Sequence, residues 1–240
     1  MTENNQTSRN QSDKPYSDIE KLIEGKRLSA TQLDSLEIIY PGTRNSSLLN
    51  EYRNLRTNLL NKTQNNNFIC LIASLAKDGS AASLAVNLAS AISFDPTKTS
   101  IIVDCDMRPS LIDSVINKNT SPGLMDFLQN NQVPVANIIH QSGIERLRII
   151  PRGTNTARAA EYFSSNAMKI LFSHLKKRYS DRFIIVNCPD ISLTSEINIV
   201  SDVCDMVIFD VPYGKVDLTT IRSSIDLVGE DKLAGLVYSD

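Results

Sequence analysis

Three short polar clusters, each directly after an apolar run, hold the side chains of this 240-residue chain that could do chemistry. The first is Lys77-Asp78-Gly79-Ser80, continuing through Ala81, Ala82 and Ser83, after the run FICLIAS. Glycine and small hydroxyl residues between a strand and a helix suit phosphate, because backbone N–H groups wrap its oxygens while a lysine and a hydroxyl supply charge and hold magnesium. The strand–loop–helix context is present, but a full G-x-x-x-x-G-K-[ST] run is not. The second cluster, Asp104-Cys105-Asp106-Met107-Arg108, puts two carboxylates two residues apart at a strand end, where both point the same way and can hold a cation. The alternative is structural: Asp106 caps the next helical turn and Arg108 pairs with a carboxylate. The third cluster is Asn187-Cys188-Pro189-Asp190. The four cysteines (Cys70, Cys105, Cys188 and Cys204) form no C-x-x-C, and His140 and His174 are the only histidines. Zinc ligation needs clustered ligands, so these read as reduced cysteines buried near strand ends.

The elements that must position these clusters follow from hydrophobic period. FICLIAS, SIIVDCD, RLRIIP, RFIIVNC, DMVIFDV and LAGLVYS are short, continuously apolar runs, as strands buried on both faces should be. Between most of them lie stretches of helical period: SLAVNLASAI, SLIDSVI with GLMDFLQ, NAMKILFSHLKKR, and LTTIRSSIDLV. This alternation predicts an α/β fold with a doubly wound, mostly parallel sheet and helices on both faces. Ligands in such sheets sit beyond the carboxyl ends of the strands, where all three clusters fall. Ahead of the first strand, Ser46 is placed to cap a helix through SLLNEYRNLRTNLL, with Leu48, Leu49, Tyr52, Leu55 and Leu59 along one face. Residues 1–17 read as a disordered tail and 18–45 as an N-terminal extension holding the amphipathic stretch SDIEKLIEG.

Charge and composition narrow the function classes. Lys and Arg number 25 against 27 Asp and Glu, a net charge of −2, which opposes a nucleic-acid footprint. No apolar run reaches the length of a membrane span, and the polar N-terminus lacks the apolar core of a secretory signal. The expectation is a cytoplasmic protein.

From Ser46 onward, about four-fifths of the chain, a set of landmarks recurs in order: EYRNLRTNLL, Ser74 through Asn87-Leu88-Ala89, DCDMRPSL, GLMDFLQ, GIERLRIIPRG, AAEYFSS, RYSDRFIIVNCPD and SDVCDMVIFDV. In this the chain resembles the cytoplasmic module of bacterial tyrosine kinases (BY-kinases), the tyrosine autokinases that accompany exopolysaccharide export. That family has a P-loop fold with a deviant Walker-A motif, related to partition ATPases. The resemblance implies a P-loop NTPase-like domain over 46–240. It places Ala81 where the family has its phosphate lysine and Ala82 where it has the magnesium hydroxyl. Two loop glycines become Asp78 and Ser80, and the third acidic motif offers Asn187 for its aspartate, with Asp190 on the second proline. Lys77, Gly79, Ser80 and Ser83 remain as vestigial nucleotide-binding positions, while Asp104 and Asp106 remain as a weak magnesium site. In the family's oligomerisation motif Asn50 replaces the glutamate, with Glu51 beside it, and Arg53 and Arg56 persist.

The resemblance therefore implies a degenerate, pseudokinase-like member with no confident catalytic residue and no cofactor expected. Its expected role is a scaffold or regulator of exopolysaccharide synthesis and export. It would sit at the inner face of the membrane through a co-polymerase partner or an active kinase relative, contacted by Glu51, Arg53 and Arg56, with homo-oligomers as a further form and no nucleic acid. The alternatives are an ATP- and Mg-dependent tyrosine autokinase with an unconventional nucleotide site, and a partition-like ATPase. Against the autokinase, the sequence closes on GLVYSD with Tyr238 alone near the end, so the family's tyrosine cluster is not expected.

Overall fold

The computed structural model describes residues 27–77, 79–116, 121–130, 132–154, 158–191 and 194–239. The expected tail and SDIEKLIEG lie outside them. Within them the apolar runs become strands: β1 (Ile69–Ser74), β2 (Thr99–Asp104), β4 (Leu147–Ile150), β5 (Arg182–Asn187), β6 (Met206–Pro212) and β7 (Leu233–Ser239). A two-residue strand, β3 (His140–Gln141), was not legible as an apolar run. The sheet runs in the order β3-β4-β2-β5-β1-β6-β7 and is parallel throughout except where β3 meets β4. Strands β1, β2, β4, β5 and β6 are buried along their whole length, whereas the edge strand β7 is half-exposed.

Helices cover both faces. On one lie α1 (Ala30–Ser35), α2 (Ser46–Lys62), α3 (Ala81–Ser93) and α4 (Leu111–Val115). On the other lie α5 (Leu124–Gln129), α6 (Val135–Ile138), α7 (Ala159–Phe163), α8 (Asn166–Arg178), α9 (Thr194–Ser201) and α10 (Leu218–Val228). The helix that follows the loop, α3, is buried almost all round from Leu84 to Ser93, so its small residues let it lie close between the sheet and α2. This fixes the N-terminal end of α3 above the C-terminal ends of the strands.

The segment before α2 is tied down by Asn87 of α3. Its amide oxygen accepts the Ile39 N–H (2.7 Å) and its amide group donates to the Glu37 carbonyl (3.1 Å), while Ile38 and Ile39 are buried. The cap of α2 is Asn45, whose side chain accepts the Leu48 N–H at 3.1 Å; Ser46, the expected cap, is the first helical residue. Both residue types can cap, and the amide reaches one residue further back.

Candidate functional site

The three sequence clusters meet at the carboxyl ends of β1, β2 and β5. A cleft of about 330 Å³ there is bounded by Gly79 to Ser83 of the β1–α3 loop, by Asp106 and Arg108 after β2, and by Asp190 after β5. A second cleft, of about 540 Å³, opens on the other side of Ser80, between α2 and the end of β7, and takes in Glu51, Tyr52, Ser83 and Asp210. Lys77 is exposed on the loop and borders neither cleft.

The loop closes on a residue that sequence reasoning missed. Asp210, near the end of β6, has no exposed surface. Its carboxylate accepts the Ser80 N–H (2.8 Å), the Ser80 hydroxyl (2.9 Å) and the Ser239 hydroxyl (2.6 Å). An anion thus already sits on the backbone N–H and hydroxyl leading into α3, the kind of position where phosphate is ordinarily held. Gly79 permits the approach: a Cβ there would lie 1.7 Å from Ser74 Oγ and 2.9 Å from Asp210 Oδ2. The signal available in the sequence was a lone acid inside the apolar run DMVIFDV, since an acid is rarely fully buried without partners.

The opposite charge is also filled from within. Arg108 grips Asp106 through two parallel bonds, Nε to Oδ1 (2.9 Å) and NH2 to Oδ2 (2.8 Å), and its NH1 reaches Asp190 Oδ2 at 2.6 Å. The two carboxylates, Asp106 foremost, hold the guanidinium further above its already high ionisation range, against a smaller effect of burial. Asp106 also accepts the Arg108 N–H at 3.0 Å; the pairing half of the structural alternative for this motif is present, but the cap of the next helix, α4, is Ser110 and not Asp106. Just after β4, Arg152 NH1 binds Asp113 (2.9 Å) and the Arg108 carbonyl (3.2 Å), and stands 3.9 Å from Asp104.

Asp104 and Asn187 lie side by side on neighbouring strands and are both buried. The Asn187 amide donates to Asp104 Oδ1 at 2.8 Å, and the Asp106 N–H does so at 3.2 Å. Burial outweighs these bonds and raises the Asp104 carboxyl to about 7. Asp104 Oδ2 and Asn187 Oδ1 have no hydrogen-bond partner. Ala81 and Ala82 bring only methyl groups to the loop, and Ser83 Oγ accepts from Asn87 at 3.4 Å. Measured against a magnesium-bound triphosphate, the arrangement is a poor fit: no lysine enters either cleft, Asp210 occupies the loop, and Arg108 occupies Asp106 and Asp190.

The α2 residues expected at an interface divide. Glu51 and Arg53 are exposed, but Arg56 turns back onto its own fold and donates to the Ala91 carbonyl of α3 at 3.1 Å. The expectation that both arginines are free to reach a neighbour is therefore corrected for Arg56: half-buried, it clamps α2 onto α3. Tyr52 reinforces the clamp; its hydroxyl is pushed up to about 12 by burial, partly offset by Asn87.

No family model matches the chain. Among curated proteins it is 25% identical over 193 residues to the tyrosine-protein kinase ptk of Acinetobacter johnsonii, a match covering 78% of this chain and 26% of ptk. It is likewise 25% identical over 211 residues to the tyrosine-protein kinase CpsD of Streptococcus agalactiae serotype III, covering 85% of this chain and 88% of CpsD. The chain resembles the bacterial tyrosine-protein kinases. It spans about a quarter of ptk but most of CpsD. Among solved structures, the kinase domain of the Escherichia coli tyrosine kinase ETK superposes with a TM-score of 0.74 at 18% identity, covering 89% of this chain and 88% of that domain. A ParA family ATPase from Chlorobium tepidum superposes at 0.55 with 16% identity over 72% of this chain and 74% of the ATPase. The fold is thus the mostly parallel P-loop NTPase type of BY-kinase domains and ParA proteins.

Proposed function

We propose that this chain is a non-catalytic scaffold or regulator of exopolysaccharide synthesis and export, working beside a membrane co-polymerase or an active tyrosine kinase. The observation that carries the reading is the internal saturation of the nucleotide position. Asp210 takes the loop N–H and hydroxyl, and Arg108 takes the carboxylates that would face a metal. Hydrogen bonds to a charged group contribute about 1.5–3 kcal/mol each, so a nucleotide would have to displace several of them without a lysine to compensate. The resemblance to ptk and CpsD supports a place in the same machinery as tyrosine-protein kinases. No helix among the described residues is long and apolar enough to cross a membrane.

A second reading, an ATP-dependent autokinase with an unconventional site, draws on one observation. Asp104 Oδ2 and Asn187 Oδ1 are buried without hydrogen-bond partners, as oxygens awaiting a metal would be. Complementation separates the two. In a strain lacking the chain, the variant Lys77→Ala with Ser83→Ala and Asp106→Ala should restore polysaccharide output to at least half the parental level. Failure of a variant that folds normally would favour catalysis.

A further inference from the structure

At the end of the sheet opposite the loop, three polar side chains point towards α8. Arg148, Thr99 and Arg182 each lie two positions ahead of a core residue of that face, Ile150, Ile101 and Ile184, so strand alternation turns all three the same way. Thr99 and Arg182 are register partners on β2 and β5, about 4.8 Å apart, and Arg148 of β4 is level with Ile101 across β2. All three are buried, Arg182 with 6% of its surface exposed. A guanidinium this deep ordinarily has a carboxylate partner, because an uncompensated charge away from water is costly. Arg182 has none: among the described residues no carboxylate lies within ion-pairing distance, and its Nε is buried without a hydrogen bond. It stacks instead on the Tyr179 ring, 3.8 Å from the centroid. Burial, with the charges of Arg148 and Arg178 adding to it, pushes its ionisation down, and Tyr179 and Asp181 oppose this only in part. The Thr99 hydroxyl beside it is also buried without a partner.

We propose that Arg182, Thr99 and Arg148 form a binding site for a phosphate group, either inorganic phosphate or a small phosphate monoester. The chemistry of the donors selects the ligand. The ring of Tyr179 holds the Arg182 guanidinium flat, so its fork can bind two oxygens of one anion in parallel. The Thr99 hydroxyl supplies a donor to a third oxygen from the next strand. A carboxylate has two oxygens and one charge, whereas a phosphate has oxygens for all three donors and the second charge that two guanidinium groups call for. A hollow of about 60 Å³, bordered by His174 and Arg178, lies against Tyr179 and adjoins the site on the α8 side. An anion here would join β2 and β5 at the turn from α8, far from the β1–α3 loop, so this site is independent of the nucleotide position and of the scaffold reading.

Titration of the full, isotope-labelled chain with sodium phosphate at constant ionic strength tests this. The amide resonances of Thr99, Tyr179 and Arg182 should shift saturably, and chloride at the same ionic strength should leave them in place. Glycerol 3-phosphate should give the same shifts if the site admits a monoester; shifts with inorganic phosphate alone would restrict it to the free anion. Arg182→Met should weaken phosphate binding about tenfold or more, and Thr99→Val about threefold. Thermal unfolding separates this from a structural role. Arg182→Met removes an unpaired buried charge, so in phosphate-free buffer it should melt above the parent, and saturating phosphate should close or reverse that gap by stabilising the parent alone. Should Arg182→Met fail to fold, the parent's own shifts and Thr99→Val decide. A dissociation constant weaker than about 10 mM, shifts confined to Gly79–Ser83, or undiminished affinity in Arg182→Met would overturn the proposal.

Discussion

Replacing Asp210 by valine should loosen the loop that leads into α3. The carboxylate accepts three hydrogen bonds from Ser80 and Ser239 and is wholly buried. Valine removes all three and orphans the Ser80 N–H, a loss of about 1–3 kcal/mol for that donor alone. The two hydroxyls can turn to water, because Ser80 and Ser239 are half-exposed, and the desolvation cost of the buried charge is recovered. The net expectation is a destabilisation of about 2–4 kcal/mol, which for a domain of this size lowers Tm by roughly 5–12 °C. Asparagine is the informative control. Its oxygen can take the Ser80 N–H while its NH2 donates to both hydroxyls, so Asp210→Asn should stay within about 1 kcal/mol of the parent. Urea unfolding of the three proteins, followed by circular dichroism, reads the difference. A valine variant as stable as the parent would refute the view that this carboxylate holds the loop.

Asp104 sets a pH dependence. Its folded carboxyl titrates near 7, far above the unfolded value, so the native state binds the extra proton between about pH 4 and 7. Stability from this group is therefore fully present below pH 4 and lost as pH rises to 7, by about 4 kcal/mol in all. Asp104→Asn should remove that slope and raise stability at pH 8; an unchanged slope in urea titrations would contradict it. Arg56→Ala should destabilise by about 1–2 kcal/mol through the lost bond to Ala91, whereas Arg53→Ala should fall within about 0.5 kcal/mol of the parent. Restoring Ala81→Lys and Ala82→Thr together should not produce autophosphorylation, because Asp210 and Arg108 remain in place; efficient labelling by radioactive ATP would show the rest of the site to be intact.

The six longer strands were legible because each is a continuous apolar run, five of them buried along their whole length, and their parallel direction, though not their order, followed from the helical stretches between them. The short elements were not. His140–Gln141 pairs only at the edge and needs no apolar side chains, and α6, four residues long, is barely one helical turn. At the site, sequence located the loop, Asp104, Asp106 and Asn187 at neighbouring strand ends, since all lie next to readable strands. It missed Asp210, because a strand read as uniformly apolar hid the one acid whose partners come from elsewhere in the chain. It misjudged Arg56 for a related reason: spacing on α2 cannot reveal that the Ala91 carbonyl of α3 lies within reach.

We propose that Asp210 and Arg108 fill, from within, the loop and carboxylate positions where a nucleotide and its metal would sit. Isothermal titration of the full chain with ATP–Mg²⁺ tests it most directly. The expected result is no saturable heat below about millimolar ATP, a limit corresponding to roughly −4 kcal/mol of binding. A one-to-one isotherm with low-micromolar affinity would contradict the claim, because it would require Asp210 and Arg108 to yield to the ligand at little cost.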